Sequence, residues 1–318
     1  MRFILFVFDD LHLSMEDLAH AKASANKMLD QSLSPTDMAA VVSLSGSINS
    51  GLTRDHKVLQ ETIGKLTPRA IYQMKGSECP DIGYYQADQI QNKRDSVALQ
   101  AAVQMVFNCA PGMDRQRDYE LAQRTAEATA MRVVTRSEAE IHGTYSALAA
   151  YVKAMNRLPQ GGRLMVLVSS GFLAITQEAI NEESRLIDAA AQANVTISAL
   201  DARGLYTTNL DASTASLGSA GAARMQEEMR RNSATSSENP MAELANGTGG
   251  SFFHNSNDLL AGFRGLTETP TCVYLLELPL DGIKADGSYH RLKVKLDRRD
   301  VDVRARSGYF VPKAGKKK

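Results

Sequence analysis

The chain is poor in cysteine and carries no net charge. Its three cysteines, Cys79, Cys109 and Cys272, form no C-x-x-C pair, which argues against zinc sites built from cysteine pairs. Thirty-six basic and thirty-six acidic residues cancel, so no global field selects nucleic acid or an anionic membrane. The basic run at 313–318 reads as a solvated terminus. No apolar run approaches the ~20 residues needed to cross a bilayer, so no membrane insertion is expected. Arg2 with Phe3–Phe8 imitates a signal peptide, but the run is shorter than the roughly 7–15 residues of an h-region and is cut off by Asp9 and Asp10. Enzyme signatures are missing too. There is no G-x-S-x-G elbow, no G-x-G-x-x-G after the first strand, no P-loop and no H-E-x-x-H. The six histidines (His12, His20, His56, His142, His254, His290) are scattered without a ligand pattern.

What is present is the composition of a soluble globular protein, 43% hydrophobic and 23% charged over 318 residues, enough for one large domain or two modest ones. Phe3–Phe8 is an unbroken apolar run rich in β-formers, the pattern of a strand buried on both faces of a parallel sheet. It ends in Asp9-Asp10-Leu11-His12-Leu13-Ser14, after which helical spacing begins, with Ser14 as N-cap and Asp17 three residues on. Polar side chains at the carboxyl end of such a strand lie where open α/β sheets hold ligands.

The alternation continues with a helix over 15–33, a buried strand over 38–44, a short edge strand over 48–53 and a helix over 55–66. From about 69 to 138 it stops, and an all-helical insertion is expected there. It has helices over 84–90 and 95–108 and a long helical stretch from 115 toward 158, broken or kinked near His142-Gly143. Cys79 and Cys109 bracket part of this segment. They read equally well as two thiols or as a disulfide, which would add on the order of 3 kcal/mol in the chain-entropy model. Strands over 163–168 and 195–200 resume the α/β pattern around a helix over 177–193. A Ser-, Ala-, Asn- and Thr-rich mobile loop is expected at about 210–240, then a short helix over 241–245, a last strand at 249–253 and a helix over 256–266. Residues 269–312 turn to pure β texture, with strands over 272–278 and 289–296 and further alternation at Val301, Val303 and Ala305. The division is thus an α/β domain over 1–268, a β extension over 269–312 and a tail over 313–318.

Several of these stretches resemble one family. Asp10-Leu11-His12-Leu13-Ser14-Met15 looks like the D-x-S-x-S-M signature of von Willebrand factor A (VWA) domains, and Gly143-Thr144-Tyr145-Ser146-Ala147-Leu148 like their G-T-x-x-x-A-L element. Leu167-Val168-Ser169-Ser170-Gly171 stands where the family has a T-D-G strand end. Ala199–Leu205, Gly249–Phe253, Val303–Phe310 and the insertion with Cys79 and Cys109 are similar to the bacterial "VWFA-related" subgroup. The resemblance spans nearly the whole chain. It implies a Rossmann-like α/β/α sandwich around a mostly parallel sheet, with a helical insertion and an antiparallel C-terminal β extension.

It also implies a metal-ion-dependent adhesion site for Mg²⁺ or Mn²⁺, hard cations that take oxygen ligands. By position, Ser14 and Thr144 would be hydroxyl ligands and Asp10 a water-mediated carboxylate. Ser170 and His12 complete the set, Gly143 and Ser169 border it, and a protein partner would bind through an acidic side chain. Two positions depart from the pattern. His12 replaces a serine, and imidazole is a poor Mg²⁺ ligand, though acceptable to Mn²⁺ or Zn²⁺; Ser170 replaces an aspartate, removing a negative charge. Asp9 would restore that charge only by facing the site, and strand alternation points Asp9 and Asp10 opposite ways. The bland reading of the cluster is N-capping and strand-end hydrogen bonding. For His142 it is a surface helix position, and for Asp201 a turn. The expected function is a non-enzymatic interaction or adhesion module with a degenerate metal site. A metal-independent scaffold using the insertion or the β extension is the alternative, and a hydrolase using Asp10, His12 and a hydroxyl the remote one. The subgroup implies a life outside the cytoplasm, and by comparison with it the chain reads as truncated at its N-terminus.

Overall fold

The computed structural model describes residues 1–69, 79–205, 220–268, 289–297 and 308–310. The apolar run at the start is strand β1 (Arg2–Phe8), buried along almost its whole length. Its alternate side chains feed two separate cores. Leu5 and Val7 face one, Ile4, Phe6 and Phe8 the other, as a strand covered on both faces requires. Strands β2 (Met38–Ser43), β3 (Gly162–Ser169), β4 (Val195–Asp201) and β5 (Phe252–Phe253) complete a five-stranded parallel sheet in the order β2-β1-β3-β4-β5.

Helices α1 (Met15–Ser32), α2 (His56–Lys65) and α8 (Leu259–Thr267) cover one face through Leu18, Met28, Leu59, Ile63 and Phe263. The other face is covered by α5 (Tyr119–Asn156), α6 (Gln177–Gln192) and α7 (Ala220–Thr248), through residues such as Tyr145, Leu148, Leu186, Met241 and Leu244. The chain is therefore an α/β/α sandwich, as expected. Because β1 leads left to β2 and the chain then returns to β3 on the right, the strand order reverses between β1 and β3. A crevice opens outside their carboxyl ends at such a point.

The insertion is helical, with α3 (Tyr84–Gln91) and α4 (Ser96–Cys109) packed on the first half of α5 through Ala87, Ala98, Val103, Ala122, Ala126 and Ala130. The break expected at His142-Gly143 does not occur: α5 is one continuous helix of 38 residues, about 57 Å long at 1.5 Å per residue. A single glycine costs a helix only ~1 kcal/mol. Here Ile141, Thr144, Tyr145 and Leu148 are buried on either side of it and favour an unbroken helix. The edge strand expected at 48–53 is reduced to two isolated antiparallel bridges, Ala39–Thr53 and Val42–Asn49.

Residues 220–240, expected within a mobile loop, are helical and run without interruption into the helix foreseen at 241–245. The composition was misleading because Ser and Asn are interspersed with Ala, Met, Glu and Arg, which favour helix. Packing of Met229, Met241 and Leu244 against the sheet-side core then favours the helix further. Residues 206–219 lie outside the described residues, as do the strand expected at 272–278, the alternation at 301–305 and the tail at 313–318. Of the β extension, β6 (Tyr289–Arg291) pairs antiparallel with β7 (Gly308–Phe310).

Cys79 and Cys109 lie as a close pair, with their Cα atoms 5.9 Å apart, a separation that a disulfide between the loop before α3 and the end of α4 would span. Mass spectrometry of the non-reduced protein is expected to recover a Cys79–Cys109 cross-linked peptide. Replacing both residues by serine is expected to lower stability to urea by about 3 kcal/mol.

Candidate functional site at the carboxyl ends of the sheet

Asp9 is the first residue past β1 and has no exposed surface. Its main chain stays in the sheet, Asp9 N donating to the Val168 carbonyl at 2.9 Å. The turn into α1 wraps round its carboxylate: Leu11 N and His12 N donate to Oδ1 at 3.2 and 3.1 Å. From β3, Ser169 Oγ donates to Oδ2 at 2.5 Å. The His12 ring lies against both oxygens, with Nδ1 2.9 Å from Oδ1 and 2.8 Å from Oδ2. A carboxylate out of water has to be paired in this way, and the pairing links β1, the β1–α1 turn and β3.

The second ring nitrogen of His12 faces α5, Nε2 lying 3.1 Å from Glu140 Oε1. Phe172 stacks on the ring at 5.7 Å with an interplanar angle of 29°, and Tyr145 meets Phe172 edge-on at 5.5 Å. Burial alone would pull the imidazole down. The charge and hydrogen bond of Asp9, with those of Glu140, outweigh it and raise His12 to about 10.

Behind Phe172, Tyr145 Oη donates to Glu183 Oε2 at 3.0 Å. Burial pushes Glu183 up to about 7, with the Tyr145 hydrogen bond opposing and the charge of Glu243 adding to the rise.

The loop after β3 depends on Gly171. Its φ is +86°, and a Cβ there would stand 2.5 Å from the Ser237 carbonyl of α7. That same carbonyl accepts from Phe172 N at 3.1 Å, so α7 clamps the loop that presents Phe172 to His12.

The sequence-predicted residues divide between this cluster and other partners. Asp10 points away from Asp9, as alternation requires, and is tied to the end of β2. Ser45 N donates to Oδ1 at 2.9 Å and Ser45 Oγ to Oδ2 at 2.6 Å. Ser14 caps α1: its Oγ accepts from Asp17 N at 3.1 Å and donates to Asp17 Oδ2 at 2.7 Å. Ser170 Oγ donates to the His12 carbonyl at 2.8 Å, so Ser169, Ser170 and His12 do come together. Thr144, one turn beyond Glu140 on α5, is fully buried, and its Oγ1 has no hydrogen-bond partner. Gly143 is exposed on that helix with open space where a Cβ would stand.

His142 is a surface residue paired with Glu182, and Asp201 holds the turn after β4 by accepting from Arg203 N at 3.0 Å. Sequence reasoning set Asp9 aside as a residue that would count only by facing the site, and missed Glu140 and Phe172. Glu140 precedes Thr144 by four residues, a spacing that places both on one helix face, and that was the available signal.

As arranged, these residues do not fit a divalent ion. The Asp10 carboxylate and the Ser14 hydroxyl are engaged elsewhere, His12 is held between two carboxylates, and Thr144 Oγ1 is the one oxygen of the expected set left without a partner. Among the described residues no group of three or more His, Cys, Asp or Glu side chains is placed to hold a metal.

No family model matches the sequence, and no curated protein matches it. Solved structures similar in backbone include two bacterial proteins. One is an aerotolerance-related membrane protein from Bacteroides fragilis in a multiply serine-substituted form, 11% identical over 84% of this chain and 98% of that one, with a TM-score of 0.41. The other is the conserved hypothetical protein BatB from Bacteroides thetaiotaomicron, 12% identical over 83% of this chain and 96% of that one, with a TM-score of 0.38. Likeness at this level says nothing of what the chain binds. Among the described residues no helix is long and apolar enough to cross a membrane.

Two outcomes are expected. His12→Ala leaves Asp9 buried beside an empty space and is expected to cost about 3 kcal/mol in urea unfolding. Glu183 contributes through a pKa raised in the folded state, so its contribution is complete below pH 4.5 and is lost as pH rises to about 7. Glu183→Gln is therefore expected to be more stable than the wild type above pH 7, by on the order of 2 kcal/mol, and to match it below pH 4.5.

Proposed function

We propose that the chain is a non-enzymatic, VWA-like protein-interaction module that engages a protein partner over the carboxyl ends of its sheet, at a degenerate adhesion site. The observation that carries this reading is the hydrogen-bonded construction at the β1/β3 switch point, where Asp9, His12, Ser169 and Ser170 hold one another. Around it, Met15 at the start of α1 and Leu205 just after β4 are 72% and 60% exposed. A single exposed apolar residue is ordinary. Two that follow the carboxyl ends of strands in one sheet, β1 and β4, offer a partner apolar contacts on the same end of the sheet as the polar centre, the usual make-up of a recognition surface.

The hydrolase reading has less support. Nε2 of His12, the nitrogen that would take a nucleophile's proton, faces Glu140, and the Ser169 hydroxyl donates to Asp9. The scaffold alternative draws on Leu121 and Met131, which stand 58% and 64% exposed on the insertion half of α5. A life outside the cytoplasm fits the Cys79–Cys109 pair.

Photo-crosslinking residues placed singly at Met15, Leu205, Leu121 and Asn194 separate these readings in extracts of the source cells. The interaction reading expects one protein captured from Met15 and Leu205 and absent at Asn194, at the opposite end of the sheet. Capture from Leu121 alone would replace it with the scaffold reading.

A further inference from the structure

We propose that His12 supplies, as part of the chain, the positive charge that a divalent ion would otherwise bring to this crevice, so that the top of the sheet recognises its partner without a metal. Asp9 already accepts from Leu11 N, His12 N and Ser169 Oγ. Three donors directed at one carboxyl group favour its ionised, acceptor-only form. Against that form His12 Nδ1, within 2.9 Å of both its oxygens, is the donor. The other nitrogen, Nε2, faces a second carboxylate oxygen, that of Glu140, at 3.1 Å. A neutral imidazole has one donor and one acceptor nitrogen, whereas a ring set between two carboxylates fits the cationic form, which has two donors. Phe172 lies over the ring face at 5.7 Å, where an aromatic quadrupole favours a cation.

The bridge uses up what a metal would need. Both carboxylates nearest the crevice are already neutralised in part by the ring, and a divalent ion brought to the same place would meet a like charge. The hydroxyls follow the same logic: Ser170 Oγ donates to the His12 carbonyl, fixing the turn that carries the ring, and Ser14 Oγ is spent on the helix cap. Both departures from the metal-site signature, a histidine for a serine and a serine for an aspartate, thus serve a single arrangement. One brings the cation in, and the other drops an anion that the cation would leave unmatched. A further consequence concerns the partner. With both ring nitrogens engaged, the crevice has no open coordination position for a partner's carboxylate, so recognition falls to the surrounding rim and not to an acidic side chain seated on an ion. The inference rests on the interaction reading for the existence of a partner, and not for the bridge itself.

The test uses the full chain. Calorimetric titration of the chelator-treated wild type with Mg²⁺ and with Mn²⁺ is expected to give no saturable heat. The ring ¹⁵N shifts of His12 at neutral pH are expected to show protons on both nitrogens. A saturable Mn²⁺ heat that Thr144→Ala removes would overturn the proposal, as would ring shifts of a neutral tautomer. Either result leaves the interaction reading standing, since that reading depends on where a partner cross-links. Conversely, absence of capture from Met15 and Leu205 would remove the partner and leave the bridge intact. A partner captured at those positions is expected to stay bound in the presence of a chelator, and its release by chelator would also overturn the proposal.

Discussion

The structure depends on keeping one carboxylate out of water. Asp9 has no exposed surface, and a buried charge without partners costs several kcal/mol. Its partners come from three places in the chain: the turn that follows it, the end of β3, and the ring of His12. Satisfying Asp9 therefore closes the β1–α1 turn, sets the end of β3 beside that of β1 and points the imidazole into the crevice. The strand reversal puts the crevice there, and the carboxylate shapes it.

The remaining parts are arranged to support the ring. Glu140 reaches it because α5 does not break at Gly143, so a helix that begins in the insertion passes directly over the switch point. Phe172 reaches it because Gly171 adopts a left-handed conformation and lets the Ser237 carbonyl of α7 come close enough to hold the loop. The insertion and α7 are thus mechanically coupled to the site, although neither supplies a residue to the sheet. Buried polar groups joined this way restrict one another, and a network of this kind favours a single geometry.

Much of the fold was legible in the sequence. The apolar runs at Phe3–Phe8, Arg163–Val168 and Val195–Leu200 could serve only as covered strands, and β1, β3 and β4 are those strands. Ser14 announced the start of α1 and caps it. The errors came where local composition competes with packing. A serine- and asparagine-rich stretch became part of α7 because its apolar residues meet the core, and a glycine that marked a kink sits in a helix buried on both sides of it. The place of the site was legible as well, since a polar strand end in an open sheet is where ligands bind. Its membership was only partly so. Asp10 stands out in the motif, yet it ties the sheet to Ser45, while its neighbour Asp9 holds the centre.

The sequence by itself determined the period of each element, the alternation that sends Asp9 and Asp10 to different faces, and the capping of α1. These are local properties, fixed by side-chain direction and by groups a few residues apart. Only the tertiary structure decided that Glu140, remote in the chain, would meet His12, that Ser169 would serve Asp9, and that Phe172 would cover the ring. Those contacts join residues distant in sequence and depend on strand order, on the continuity of α5 and on the approach of α7. They also fix the chemistry, because an imidazole gains its charge from the carboxylates brought around it, and no local pattern states which these will be.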